Sequence, residues 1–192
     1  MAKPVTMPME PGAILTKDRS PSTTSQTDEM QRVPYAEAIG SILWPAMISR
    51  PDITFAVGIL AQFIQNPAEV YWEALKRVIS YLSSTKDLWL TFGGHDANRV
   101  CTFCDANWAS QTHCHSISRY SFPFGDGAVS WSSKKQYIIA LSSTEAEYIA
   151  LTHAAKEALW LRAFLTEVQG LSYGHGQYQL RQPKRYRTIK GQ

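Results

Sequence analysis

Cysteine is scarce here: three residues in a chain of 192, an odd count that gives no disulfide framework and favours a reducing compartment. No unbroken apolar run reaches the ~20 residues of a bilayer-spanning helix, so no membrane partner is expected. The opening MAKPVTMPMEPG lacks the charged-then-apolar layout of a secretory signal. The expected locations are therefore cytoplasmic or nuclear, not secreted. Charge is modest as well, at 18% charged residues and a net +3, which permits a polyanionic partner without arguing for one. What is plentiful is apolar material, 44% of the chain, enough for a sizeable core.

Four stretches differ in pattern. Residues 1–31 are rich in Pro, Ser and Thr with little periodicity, and are expected to form a disordered tail or linker. Residues 32–87 read as helical. Tyr35, Ala38, Ile39, Ile42, Leu43 and Met47 follow the spacing of one buried helix face, with Pro45 expected to kink or end it. A second helix from Pro51 turns Ile53, Val57, Leu60 and Ile64 inward. Asn66 then reads as an N-cap boxed with Glu69, opening a third helix that buries Trp72, Leu75, Ile79 and Leu82.

Residues 88–170 change to short β-patterned runs: LWLTF and RVCTFC as a hairpin, then RYSFPF and GAVSWSS. A long helix follows from about Thr144 to Val168, opened by Ser142-x-x-Glu145 and suited to end at Gly170. Residues 171–192 form a basic stretch with no element expected and with neither Asp nor Glu.

Cys101, Cys104, His113, Cys114 and His115 together offer thiolates and imidazoles at a spacing zinc uses. The C-x-x-C pair, however, brackets Thr-Phe in a β-patterned run, where residues three apart point to opposite faces. Packed free cysteines are the better expectation. Nothing near Cys104 supplies the activating arrangement a nucleophilic thiol requires.

The carboxylates carry more. Asp105 closes the RVCTFC strand. On the long helix, the inward stripe Ala150, Leu151, Ala154, Ala158, Leu161 and Leu165 extends backwards to Glu147, leaving Glu145 at the solvent side of the first turn. An acid on a buried face needs a counter-charge. Asp105 and Glu147 facing each other would offer hard oxygen ligands to Mg²⁺, as in two-metal nucleases. Alternatively, Glu147 reaches the rim or pairs with Arg119 or Lys134.

In order, PYAEAIGSILWPAMISRPDITFAVGILAQF, YWEALKRVISYLSSTKDLWLTF, DANWAS, GAVSWSSKKQ and LSSTEAEYIAL resemble the C-terminal part of a copia-type retrotransposon Pol polyprotein, where the end of reverse transcriptase joins a ribonuclease H domain. The resemblance covers roughly Val33 to Val168. It implies an α+β fold: an N-terminal helical segment of thumb or connection type, then a partial ribonuclease H-like mixed sheet with one long packed helix. It also implies Mg²⁺-dependent hydrolysis of RNA in RNA–DNA hybrids, with Asp105 and Glu147 as catalytic and metal-binding acids.

Several positions depart from the family pattern. Asn107 replaces a second Asp, Arg119 stands where a small residue is expected, and Pro45 occupies an ordinary helical position. The two later acids find no match in 171–192. The chain is thus expected to be a truncated fragment, inactive by itself. A non-catalytic binding module is the alternative, with Arg181, Lys184, Arg185 and Arg187 contacting an RNA–DNA hybrid or other nucleic acid weakly. The remainder of a Pol polyprotein is a further expected partner and could complement the missing acids.

Overall fold

A computed structural model describes residues 5–13, 15–92, 102–109, 114–124, 127–169 and 180–181. Its architecture is α+β: five α-helices and a mixed sheet. Helices α1 (Thr24–Gln31), α2 (Tyr35–Ile48), α3 (Thr54–Leu60) and α4 (Glu69–Ser84) form a layer on one face of the sheet. Strands β1 (Thr102–Asn107), β2 (Ile117–Phe124) and β3 (Gly127–Lys135) pair antiparallel, and α5 (Ser143–Gln169) covers the other face. No helix among the described residues is long and apolar enough to cross a membrane.

Helix α2 runs through Pro45 without ending. It buries Tyr35, Ile39, Ile42 and Ala46, whereas Leu43 and Met47, expected inside, are exposed. Proline lacks the N–H that would bond the carbonyl four residues earlier, but its own carbonyl still carries the helix on, accepting the N–H of both Ser49 and Arg50. The next stretch is a 3-10 turn, Pro51–Ile53, followed by α3 and a second such turn at Ala61–Phe63. Ile53, Val57 and Leu60 are buried as expected. Phe63, not Ile64, continues the face and stacks on Tyr71.

Two helical expectations on α4 are corrected. Its N-cap is Ala68, without a side-chain cap, rather than Asn66. Its buried stripe is Tyr71, Leu75, Val78 and Tyr81, a rotation that leaves Ile79 exposed and Trp72 and Leu82 half-buried. The tyrosines can go inside because their hydroxyls find acceptors: Tyr71 donates to the Thr16 carbonyl and Tyr81 to Asp52.

The N-terminal stretch expected to be disordered instead lies on this layer. Leu15 and Met30 are buried, Val5 and Met9 pack on the core, and Arg77 pairs with Glu10 at 2.9 Å. Its few apolar side chains lack periodicity but gain enough burial on a surface already formed by α2–α4.

Residues 88–92 are not a strand. Leu88, Trp89 and Phe92 are exposed, and β1 takes β2 as its hairpin partner. The backbone of Thr91 and the ring of Phe92 press on Gly127, where a Cβ would collide. β1 also runs two residues past Asp105. A short fourth strand, β4 (Leu180–Arg181), pairs parallel to β1, giving the order β3-β2-β1-β4 where no element was expected.

Helix α5 matches its expected start and length. Ser142 Oγ accepts the Glu145 N–H at 3.1 Å, and Glu145 Oε2 accepts the Leu141 N–H at 2.7 Å, a reciprocal cap. Gly170, its expected terminator, lies outside the described residues. Its inner stripe buries Ala146, Ala150, Ala154 and Leu161.

Candidate functional site

Side chains alternate along β1, and the two faces meet different neighbours. Thr102 and Cys104 are buried, and Cys104 packs with Phe122, Ala154 and Leu161 beneath α5. Asp105 turns the opposite way. Its cross-strand partner is Arg119, whose guanidinium donates to Asp105 Oδ2 at 2.7 Å. The same guanidinium lies 5.2 Å from the ring centre of Phe55 on α3. Asp105 therefore belongs to the side of the sheet that carries the helical layer.

Arg119 also lines a cleft of about 690 Å³ between sheet and helices, with Asp52, Phe55, Asn107 and residues of the Met7–Thr16 stretch. The Nε of Arg119 is buried and finds no partner among the described residues.

Glu147 sits on α5 one helical turn before Leu151 and two before Ala154, half-buried. Gln136 fixes this end of the helix. Its Nε2 donates to Ser118 Oγ and to the Ala146 carbonyl, both at 2.9 Å, and its N–H donates to the Ser116 carbonyl. The sequence flagged Arg119 as an unexpected residue but not as Asp105's partner, and it gave no signal for Gln136. A cross-strand register was the missing information in both cases.

Both carboxylates are felt by one thiol. Burial pushes the Cys104 pKa up, and the charges of Asp105 and Glu147 push it further. Cys104 therefore stays a protonated, packed thiol, as expected for a core cysteine. Of the residues considered for zinc, Cys114 is exposed, and His115 Nδ1 lies 2.9 Å from the Gln136 carbonyl. Cys101 and His113 lie outside the described residues. The backbone of Arg181 is part of β4, while Lys184, Arg185 and Arg187 lie outside the described residues.

The residues present do not fit a bound Mg²⁺. One Asp105 oxygen already holds a guanidinium, and no group of three or more His, Cys, Asp or Glu that could hold a metal ion occurs among the described residues.

Fold and site together define an α+β chain whose central strand presents an acid to a helical layer and whose long crossing helix presents another. Sequence comparison gives that class a family. The chain is 42% identical over 168 residues to the Retrovirus-related Pol polyprotein from transposon TNT 1-94 of Nicotiana tabacum, covering 87% of this chain and 13% of that protein. It is 34% identical over 175 residues to the Retrovirus-related Pol polyprotein from transposon RE2 of Arabidopsis thaliana, 91% of this chain and 12% of the relative. It is also 43% identical over 142 residues to Secreted RxLR effector protein 161 of Plasmopara viticola, spanning 73% of this chain and 100% of that protein. Homologues of this chain are thus retrovirus-related Pol polyproteins of transposons, and the chain spans only a small portion of the length of those polyproteins. No family model and no solved structure matches it.

Proposed function

We propose that this chain is the ribonuclease H-like portion of a copia-type Pol polyprotein together with an adjoining thumb- or connection-like helical segment. Its ancestral reaction is Mg²⁺-dependent hydrolysis of the RNA strand of an RNA–DNA hybrid, with Asp105 and Glu147 as the acids of that reaction. The observation that carries this reading is the sheet order. Three antiparallel strands are followed by a long helix, which crosses back so that β4 joins parallel to β1. That connection is what a partial ribonuclease H-like sheet requires, and it sets the acid-bearing strand centrally.

In this reading the chain does not cleave by itself. Asn107 stands in for an acid, the stretch from Leu171 to Gln192 contains none, and Asp105 is engaged by Arg119. Weak, salt-sensitive binding to nucleic acid through Arg181, Lys184, Arg185 and Arg187 remains, as does association with the rest of a Pol polyprotein.

Purified protein incubated with a labelled RNA–DNA hybrid and Mg²⁺ tests this. We expect binding that weakens with salt, weakens further on deletion of residues 171–192, and brings no cleavage. Hybrid cleavage lost in Glu147→Gln would refute the inactivity. Binding unchanged by the deletion would remove the basic stretch from the proposal.

A further inference from the structure

The misfit between the candidate acids and a divalent ion has a specific cause. Asp105 and Arg119 are register partners on adjacent antiparallel strands, so the backbone itself sets their side chains on the same face at close range. The contact is a charge-assisted hydrogen bond at 2.7 Å. Both side chains are little more than one-third exposed, at 37% and 38%, so water reaches the pair without surrounding it. The guanidinium is held from a second direction by the Phe55 ring, 5.2 Å from its centre, and these two contacts offset the cost of its buried, unpartnered Nε–H. An arginine clamped in this way cannot swing aside without giving up the ring contact.

We infer that Arg119 is the resident cation of Asp105: a guanidinium built into the sheet takes the position at this carboxylate that a divalent ion would otherwise claim. The pair then serves as a tie between the sheet and the helical layer. Asp105 anchors the arginine, and the arginine's Cζ lies over the Phe55 ring. The inference concerns the folded chain alone and stands whether or not the protein binds nucleic acid.

Mn²⁺ is a suitable probe, because it broadens the NMR signals of nearby amides even when it binds weakly. With the full chain, we expect the wild-type amides of residues 103–107 to broaden no more than those beside other exposed carboxylates. In Arg119→Ser, the Mn²⁺ concentration giving half-broadening at those amides should fall by about fivefold, the scale of a partly exposed ion pair. Adding Asp105→Asn to that variant should abolish the gain. Arg119→Met, which retains the stem over Phe55, provides the same test with less loss of packing. Wild-type broadening centred on Asp105 at the concentration that affects the Arg119 variants would overturn the inference. So would folded Arg119 variants that bind Mn²⁺ no better than wild type. Arg119→Met keeps the comparison available if Arg119→Ser fails to fold, and neither readout refers to hybrid binding or cleavage.

Discussion

The indole N–H of Trp131 reaches the carbonyl oxygen of Ala46 across 2.8 Å, joining β3 to the C-terminal end of α2. That carbonyl lies in the last turn, beyond the helix's own bonding ladder, and it also accepts Thr54 Oγ1 at 2.9 Å. Trp131→Phe should cost about 1 kcal/mol, because the carbonyl keeps one partner. Adding Thr54→Val leaves a buried carbonyl with neither, so the double variant should lose more than the sum of the singles. Urea denaturation of the four proteins measures the coupling, and strict additivity would argue against the shared acceptor.

Gln136 spans three elements through its side chain and main chain, yet makes no contact with solvent. Gln136→Leu keeps the volume but removes the buried donor to the Ser118 hydroxyl and the second donor to the Ala146 carbonyl in the first turn of α5. We expect a loss of about 1–3 kcal/mol, with faster amide exchange at Ala146–Ala150 than at Ala158–Leu161. Uniform exchange along α5 would show that Gln136 does not pin its start.

Asp52 accepts from Arg50 at 2.7 Å and from Tyr81 at 2.8 Å. Burial pushes its pKa up, but the hydrogen bonds from Arg50 and Tyr81 and the Arg50 charge outweigh this, leaving it below the ordinary carboxylate value. A carboxyl depressed in the folded state contributes stability that is fully present above its unfolded pKa and is lost as pH falls through its folded one. Wild type should therefore exceed Asp52→Asn in stability at neutral pH, with the gap narrowing only in the acid range below the usual carboxylate pKa. A gap that persists unchanged into strong acid would show that the Asp52 charge contributes little.

Cys104 and Cys114 should differ in reactivity. The first is buried with its thiol pKa raised, and the second is exposed. At neutral pH, iodoacetamide should label Cys114 at least about tenfold faster than Cys104 in the native protein, with the difference vanishing in denaturant. Peptide mass mapping resolves the two sites. Equal native rates would contradict the packing of β1 beneath α5.

The alternation of apolar and polar residues made β2 and β3 legible, and the Ser142–Glu145 spacing made the start of α5 legible, because both signals are local. The buried faces of α2 and α4 were less so. Each helix carries more apolar residues than one face can bury, and only the neighbours decide which stripe goes inside. Tyr81 is buried because Asp52 stands opposite to accept its hydroxyl, and no window of sequence around Tyr81 contains Asp52. Leu88 to Phe92 failed for the converse reason: among the described residues this β-like composition has no strand partner, and it is irregular.

By its residues alone, this chain determined its α+β class and the long helix, since periodicity, caps and motifs act within a few residues of one another; a transposon Pol resemblance singled out Asp105 and Glu147. Tertiary structure decided what those acids face. Strand register puts Arg119 opposite Asp105 and Phe55 beneath Arg119, three positions drawn together from separate parts of the chain. A cross-strand ion pair depends on which strands pair and in what phase, and that choice is made by the burial of the whole sheet between two helical layers.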